Sequence, residues 1–159
     1  MRVPPLRLLA LELTKACPLS CKHCRAASVN EPMPDELSTD EILKILKNIS
    51  IRYKPILILT GGEPLLRNDL EIIVKESVKL GFKPVLAPCG IGFDEETARK
   101  LKRWGITRIS FSIDGATADT HDYLRGKSGA FESVLRAARA AKNAGLSFQV
   151  NTCLLYTSP

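Results

Sequence analysis

The sequence has no long hydrophobic run. Its longest apolar stretches, Leu8 to Leu11 and Ile56 to Leu59, are much shorter than the roughly 20 residues that span a bilayer. The N-terminus also lacks a signal-peptide pattern, because Glu12 interrupts its first apolar run. We therefore expect a soluble, cytoplasmic protein that has no membrane partner.

The cysteines do not form the even, dispersed set of a secreted disulfide scaffold. There are five of them, and three, Cys17, Cys21 and Cys24, fall within eight residues. Clustered thiols in a chain without a signal peptide indicate metal ligands.

A basic stripe and interleaved stacking aromatics are also lacking. The net charge of +6 comes from Lys and Arg residues that are mixed with acidic ones, and only 6% of the residues are aromatic. This pattern argues against nucleic-acid binding. The chain instead has 45% hydrophobic and 25% charged residues, which is the balance of a globular domain.

Apolar runs and amphipathic stretches alternate along the chain. The capping box Ser38 to Glu41 begins the first helix, Asp69 precedes the second and Asp94 caps the third. A fourth helix carries Phe131, and the helices end near glycines. The predicted strands span residues 8–13, 56–59, 83–87, 107–113 and 147–151. This alternation predicts an α/β fold in which helices cover a parallel sheet.

The end of the chain does not match this rhythm. The fifth predicted strand stops where another crossover helix is expected, and residues 153–159 look like translated vector sequence. We predict a truncated core domain over residues 1–152, followed by a doubtful non-native tail over residues 153–159. A compact five-stranded domain that ends here is the alternative.

The strongest chemical signal is the segment Cys17 to Cys24, directly after the first predicted strand. Three thiolates do not complete a structural zinc site, which has four protein ligands. On a [4Fe–4S] cluster they would leave one iron without a protein ligand, and therefore open to a substrate or cofactor. Zinc remains an alternative if His23 or Cys89 supplies a fourth ligand.

A second signal is the segment Thr60 to Pro64, at the end of the second predicted strand. Gly61 and Gly62 allow the backbone to approach a ligand closely. Glu63 is predicted to lie at the carboxyl end of a parallel strand, where α/β barrels place their active sites. Its carboxylate can accept hydrogen bonds from an ammonium group.

Together these motifs resemble the radical S-adenosylmethionine (SAM) superfamily. The hallmarks are cysteines spaced C-x₃-C-x₂-C, with His23 at the place of the usual aromatic residue, and a Gly-Gly-Glu motif. Ser112 to Gly115, followed by His121-Asp122 and Arg125-Gly126, resembles the branch with a C-terminal SPASM or twitch domain. Residues 8–26 and 59–70 look closest to proteins of haem and haem d₁ synthesis; peptide maturases share the branch.

The resemblance implies an incomplete (β/α)₆ partial TIM-type barrel with five of its six strands present. Cys17, Cys21 and Cys24 would bind a [4Fe–4S] cluster, whose fourth iron would be chelated by SAM. The residues that would hold SAM are Gly61, Gly62, Glu63, Ser112, Arg125 and Asn151. No catalytic residue beyond these cofactor ligands is implied.

The implied activity is reductive cleavage of SAM to a 5′-deoxyadenosyl radical. The substrate would be a tetrapyrrole or a peptide, and the reducing partner a flavodoxin or ferredoxin. Two alternatives remain open: a non-catalytic iron–sulfur or zinc module, and an RNA-modifying radical SAM enzyme.

Four further residues have less specific interpretations. Cys89 stands where relatives usually carry Asn, and we expect it to be a small buried hydrophobe. Asp114 is expected to be a turn residue, because it precedes Gly115. His121 is expected to form a hydrogen bond in a loop, and His23 to pack over the cluster.

Overall fold

The computed structural model describes residues 4–153, whose five strands form one parallel sheet. The strands lie in sequence order, and each pairs with the next. They are β1 (Leu8–Glu12), β2 (Ile56–Thr60), β3 (Lys83–Leu86), β4 (Arg108–Ser112) and β5 (Phe148–Asn151). The predicted α/β class and the incomplete (β/α)₆ barrel with five parallel strands are thereby confirmed.

Five helices connect the strands, together with a 3₁₀ turn at Pro64–Leu66. They are α1 (Thr39–Ser50), α2 (Leu70–Lys79), α3 (Glu95–Trp104), α4 (Ala118–Arg125) and α5 (Ala130–Asn143). The capping box at Ser38 is present, and Asp94 caps α3 by accepting a hydrogen bond from the Thr97 amide. Four of these helices were predicted from the sequence, and α4 was not.

One face of the sheet carries the hydrophobic core. Leu57, Leu59, Leu86, Ile109 and Phe111 are fully buried in a cluster that includes apolar residues of the helices. The other face lines a cavity through partly buried residues such as Ile58 and Val85. The apolar run of β2 therefore does not mean that helices cover both faces, as the sequence suggested. The second face is the interior of an open barrel.

The helices of the described residues, 4–153, include none long and apolar enough to cross a membrane. The predicted tail lies outside the described residues except for Cys153.

Arg67 links the chain after β1 to the segments that precede α1 and α2. Its Nη1 donates to the carbonyl oxygens of Leu13, at 2.8 Å, and Leu37, at 2.9 Å. Its Nε and Nη2 donate to the two carboxylate oxygens of Asp69, at 2.7 and 2.6 Å. The Thr39 hydroxyl donates to the same carboxylate at 2.6 Å. The Arg67–Asp69 ion pair thus joins the beginning of α2 to the chain after β1 and to the beginning of α1.

This clamp predicts an acid-dependent loss of stability. Hydrogen bonding to Arg67 lowers the pKa of Asp69 to about 2. A folded-state pKa below the unfolded value stabilises the fold at neutral pH by about 2 kcal/mol, and this contribution disappears as the pH falls from about 4 through about 2. Asp69→Asn should therefore be less stable than wild type at pH 7, and the gap should close below pH 4. Urea unfolding of both proteins across this pH range measures the difference in their free energies of unfolding.

The matched control is Asp35→Asn, because Asp35 is exposed. Its free energy of unfolding should differ from wild type by less than about 0.5 kcal/mol at neutral pH. A gap for Asp69→Asn that stays constant down to pH 2 would contradict the assigned role of the clamp.

Candidate active site

The carboxyl ends of the parallel strands surround a cavity of about 870 Å³. Active sites of α/β barrels occupy this end because the connecting loops meet there. The residues singled out from the sequence that line the cavity are Cys17, Cys21, Cys24, Gly61, Gly62, Ser112, Arg125 and Asn151. The fold therefore brings together eight of the nine predicted site residues, which come from four distant parts of the chain.

The three motif cysteines lie on the loop between β1 and α1, and all are free thiols. Cys17 is buried, and burial raises the pKa of its thiol. Burial also acts to raise the pKa of Cys24, but hydrogen bonds from Ser28 outweigh it, so that the pKa of Cys24 is lowered. The Ser28 amide donates to the Cys24 sulfur at 3.4 Å. The loop thus already stabilises one of its three thiolates.

The donor set fits an iron–sulfur cluster better than a single ion. Within residues 4–153, no three His, Cys, Asp or Glu side chains converge closely enough to hold one metal ion. A cluster distributes its thiolates over different irons, so its ligands stand farther apart. Three free thiols that line one cavity are the donor type that such a cluster uses.

The two glycines pack against the protein's own backbone. The Gly62 amide donates to the Thr14 carbonyl and the Glu63 amide to the Ala16 carbonyl, each at 2.7 Å. A Cβ at Gly61 would lie 2.5 Å from the Thr14 oxygen, and one at Gly62 would lie 2.2 Å from the Ala16 oxygen. The glycines are therefore required where this turn meets the chain leading into the cysteine loop. This requirement is structural and does not depend on a ligand.

Glu63 is the one predicted site residue that is not among those lining the cavity. Its side chain is buried, and its carboxylate accepts hydrogen bonds from the backbone amides of Leu65, at 2.9 Å, and Cys89, at 2.6 Å. Burial raises the pKa of this carboxyl group. In this arrangement Glu63 joins the loop after β2 to the loop after β3, and its contact with a SAM ammonium group stays a prediction.

Cys89 packs against a small apolar cluster that contains Leu19, as the sequence suggested, but it is only half-buried and also lines the cavity. Burial, together with the neighbouring Glu63 carboxylate, raises the pKa of its thiol far above the usual range. Cys89 is therefore a neutral thiol at physiological pH.

Helix α4, which the sequence analysis missed, supports the cysteine loop from outside. The Lys22 amide donates to the Leu124 carbonyl at 2.9 Å, and the Ser20 hydroxyl donates to the Gly126 carbonyl at 3.1 Å. The helix is short, but its ends were recognisable, since Thr117 caps its N-terminus and Gly126 ends it in a left-handed conformation. The same helix carries Arg125 into the cavity.

Asp114 is not the simple turn residue that was expected. Its carboxylate is buried, with Nη2 of Arg125 at 2.6 Å and Nε2 of His23 at 3.1 Å from the same oxygen. The Arg125 contact is an ion pair outside the angular range of a hydrogen bond. His121 lies in α4 rather than in a loop, and its Nδ1 accepts a hydrogen bond from the Asp114 amide at 3.1 Å.

Two buried nitrogens in this group have no hydrogen-bond partner within residues 4–153. They are Nε of Arg125 and Nδ1 of His23. Buried polar groups usually have partners, so unpaired ones beside a cavity indicate a ligand. Of the two, Nε of Arg125 is a cationic donor, which suits an anionic group such as the carboxylate of SAM. Asn151 contributes from the end of β5, where its Nδ2 donates to the Ser110 hydroxyl at 2.8 Å.

Residues 11–158 match the family model described as the radical SAM superfamily. The chain belongs to the radical SAM superfamily. The match covers both the cysteine loop and the glycine turn.

Curated relatives with related names match the same region of the radical SAM chain. It is 42% identical to the AdoMet-dependent heme synthase of Oleidesulfovibrio alaskensis over 94% of this chain and 38% of that protein. It is 44% identical to the AdoMet-dependent heme synthase of Methanosarcina barkeri, over 92% of this chain and 42% of that protein. The pre-heme d1 synthase of Dinoroseobacter shibae is 36% identical over 91% of this chain and 36% of that protein. The chain thus spans about two fifths of the length of these relatives.

Solved structures share the fold at lower identity. The Streptococcus suis SuiB structure with precursor peptide SuiA has a TM-score of 0.78 at 16% identity, covering 97% of this chain and 35% of that one. The anSMEcpe structure with bound AdoMet has a TM-score of 0.73 at 23% identity, covering 92% of this chain and 43% of that one. These likenesses establish the partial-barrel fold.

The contact between α4 and the cysteine loop predicts a specific effect of Gly126→Ala. A Cβ at Gly126 would lie 2.4 Å from the Ser20 carbonyl oxygen, so the loop must move. The left-handed backbone adds a cost of roughly 1 kcal/mol. We expect Gly126→Ala to lower the free energy of unfolding and to retain less than half of the wild-type iron per chain after anaerobic reconstitution.

Gly129→Ala is the matched control. Gly129 is also left-handed, but a Cβ there would meet nothing within 4 Å. This variant should lose similar backbone stability and keep its iron. Equal iron content in the two variants would show that α4 does not support the cysteine loop.

Proposed function

We propose that this chain binds a [4Fe–4S] cluster through Cys17, Cys21 and Cys24 and holds SAM beside it. The supporting observation is that these three free thiols share one cavity with the glycine turn and with Arg125. When bound, the cluster and SAM would supply radical chemistry: one electron from the reduced cluster would convert SAM to methionine and a 5′-deoxyadenosyl radical able to remove a hydrogen atom from a substrate.

In this proposal the residues around the cavity bind and orient SAM. The backbone of Gly61 and Gly62 lies where SAM would meet the end of β2. Glu63 braces this turn from behind through the Leu65 and Cys89 amides, so its predicted ammonium contact requires the carboxylate to turn towards the cavity. Arg125 and Ser112 face the SAM carboxylate, and Asn151 positions the nucleoside. Arg125 already contacts Asp114 through Nη2 and Cys21 through Nη1, so it would meet the SAM carboxylate with its remaining N–H groups.

We further propose a tetrapyrrole of a haem pathway as the substrate. Relatives with 36 to 44% identity are named as heme or pre-heme d1 synthases, whereas the peptide-bound neighbours support the fold alone. Carboxylate-bearing tetrapyrroles are anionic, and Arg25 offers a cation at the cavity directly after Cys24. A flavodoxin or ferredoxin would donate the electron in the cytoplasm, where thiols stay reduced.

SAM binding is expected to change the spectrum of the reduced cluster. The full chain, anaerobically reconstituted and reduced with dithionite, should show a [4Fe–4S]⁺ electron paramagnetic resonance signal that shifts when SAM is added. Cys21→Ala should lose the signal, because it removes one of three thiolates. The control Cys89→Ala removes a thiol from the same cavity outside the motif and should retain the signal.

Other outcomes distinguish the alternatives. A cluster signal that does not change when SAM is added would favour a non-catalytic iron–sulfur module. Bound zinc in place of iron would favour a zinc module. Normal iron and sulfide content in Cys21→Ala would contradict the ligand assignment.

The substrate class predicts anion-dependent binding. Reconstituted full chain should bind iron coproporphyrin III, observed as a change in the porphyrin absorbance. Arg25→Ala should weaken this binding roughly tenfold, since a charge-assisted contact contributes about 1.4 kcal/mol or more. Arg52→Ala, which removes an exposed charge outside the cavity lining, should bind like wild type.

Equal binding by wild type and Arg25→Ala would contradict the proposed carboxylate contact. Absence of tetrapyrrole binding would contradict the substrate class. Strong, salt-dependent RNA binding would favour the RNA-modifying alternative.

A further inference from the structure

The Asp114 carboxylate joins three separate parts of the chain at the inner wall of the cavity. Arg125 approaches it from α4 and His23 from the cysteine loop. The amide of Cys153, just after β5, donates to its other oxygen at 2.9 Å. The side chain is only 2% exposed, so these contacts replace water almost completely.

Arg125 contacts both Asp114 and the motif thiol of Cys21. While Nη2 lies against Asp114, Nη1 lies 3.7 Å from the Cys21 sulfur, within the range of a hydrogen bond to sulfur. The guanidinium is 15% exposed, so its charge is poorly screened by solvent. Asp114, Arg125 and Cys21 therefore form a continuous chain of contacts.

We propose that Asp114 is a positioning residue that holds Arg125 against the Cys21 sulfur and thereby raises the reduction potential of the cluster. The inference rests on the proposed function, because Cys21 must be a cluster ligand. Hydrogen bonds to ligand sulfurs, and the net charge around a cluster, set its potential. A positive donor at the sulfur stabilises the reduced cluster, which carries one more negative charge.

Asp114 acts in this way through Arg125 and not as a charge on its own. A buried carboxylate near the cluster would by itself disfavour the reduced form and lower the potential. Its charge is compensated by the ion pair with Arg125, and its contact with the cysteine loop runs through Arg125 and His23. Residues that do not touch a metal centre can tune its reduction potential by orienting the groups that do.

The two roles predict shifts of opposite sign. If Asp114 positions Arg125, then Asp114→Ala and Arg125→Met should both shift the midpoint potential to more negative values. If Asp114 acts only as a negative charge, its removal should shift the potential to more positive values. The double variant should shift no further than Arg125→Met alone, because the first residue acts through the second.

The measurement is a redox titration of the reconstituted full chain without SAM, followed by electron paramagnetic resonance. Asp119→Ala is the matched control, because it removes an exposed carboxylate from the first turn of the same helix. Its potential should equal that of wild type. Thermal unfolding of each variant before reconstitution shows whether its fold is intact.

Asp114→Asn covers the case in which Asp114→Ala does not fold. It has the shape of the native side chain and keeps one oxygen for Arg125, so we expect a smaller shift in the same direction. A positive shift or no shift in the folded variants would overturn the proposal, as would additive shifts in the double variant. A wild-type chain that binds no cluster would instead overturn the proposed function.

Discussion

Two backbone hydrogen bonds hold the site together, those from the amides of Gly62 and Glu63 to the carbonyls of Thr14 and Ala16. They join the turn after β2 to the chain that leads into the cysteine loop. The contact is so close that it leaves no room for a Cβ at Gly61 or Gly62. The Glu63 carboxylate accepts a hydrogen bond from the Cys89 amide and so connects the loop after β3 to this turn. The first three strand ends are thus joined mainly through main-chain groups.

The remaining part of the cavity depends on buried charge. Removing a carboxylate from water costs several kcal/mol unless ion pairs and hydrogen bonds replace the lost hydration. At Asp114 this replacement comes from Arg125, His23 and the Cys153 amide, which belong to three distant segments. Loss of any one partner leaves the others with an incompletely paired charge. The half of the site formed by β4, α4 and β5 is therefore held by side chains, and we expect it to be more sensitive to substitution than the half formed by β1 to β3.

Much of this arrangement was predictable from local patterns. Apolar runs between capped amphipathic stretches predicted all five strands and four helices, because burial imposes a regular spacing on apolar residues. The spacing from Cys17 to Cys24, followed by Gly-Gly-Glu, predicted the family that the comparison confirmed. Helix α4 was missed because it has only eight residues, of which just His121 and Leu124 are buried, too few for a periodic signal. Its caps, Thr117 and Gly126, were the available evidence.

The sequence by itself determined the fold class and the set of thiols, because both depend on residues that are near neighbours along the chain. Tertiary structure decided where the charged side chains point. It buried Glu63 against the amide of Cys89, 26 residues on, and it brought Arg125 to Cys21 across 104 residues. Such contacts depend on which strand ends become neighbours and on how closely their loops pack. Local spacing carries no information about either, since long-range contacts form only when the sheet assembles.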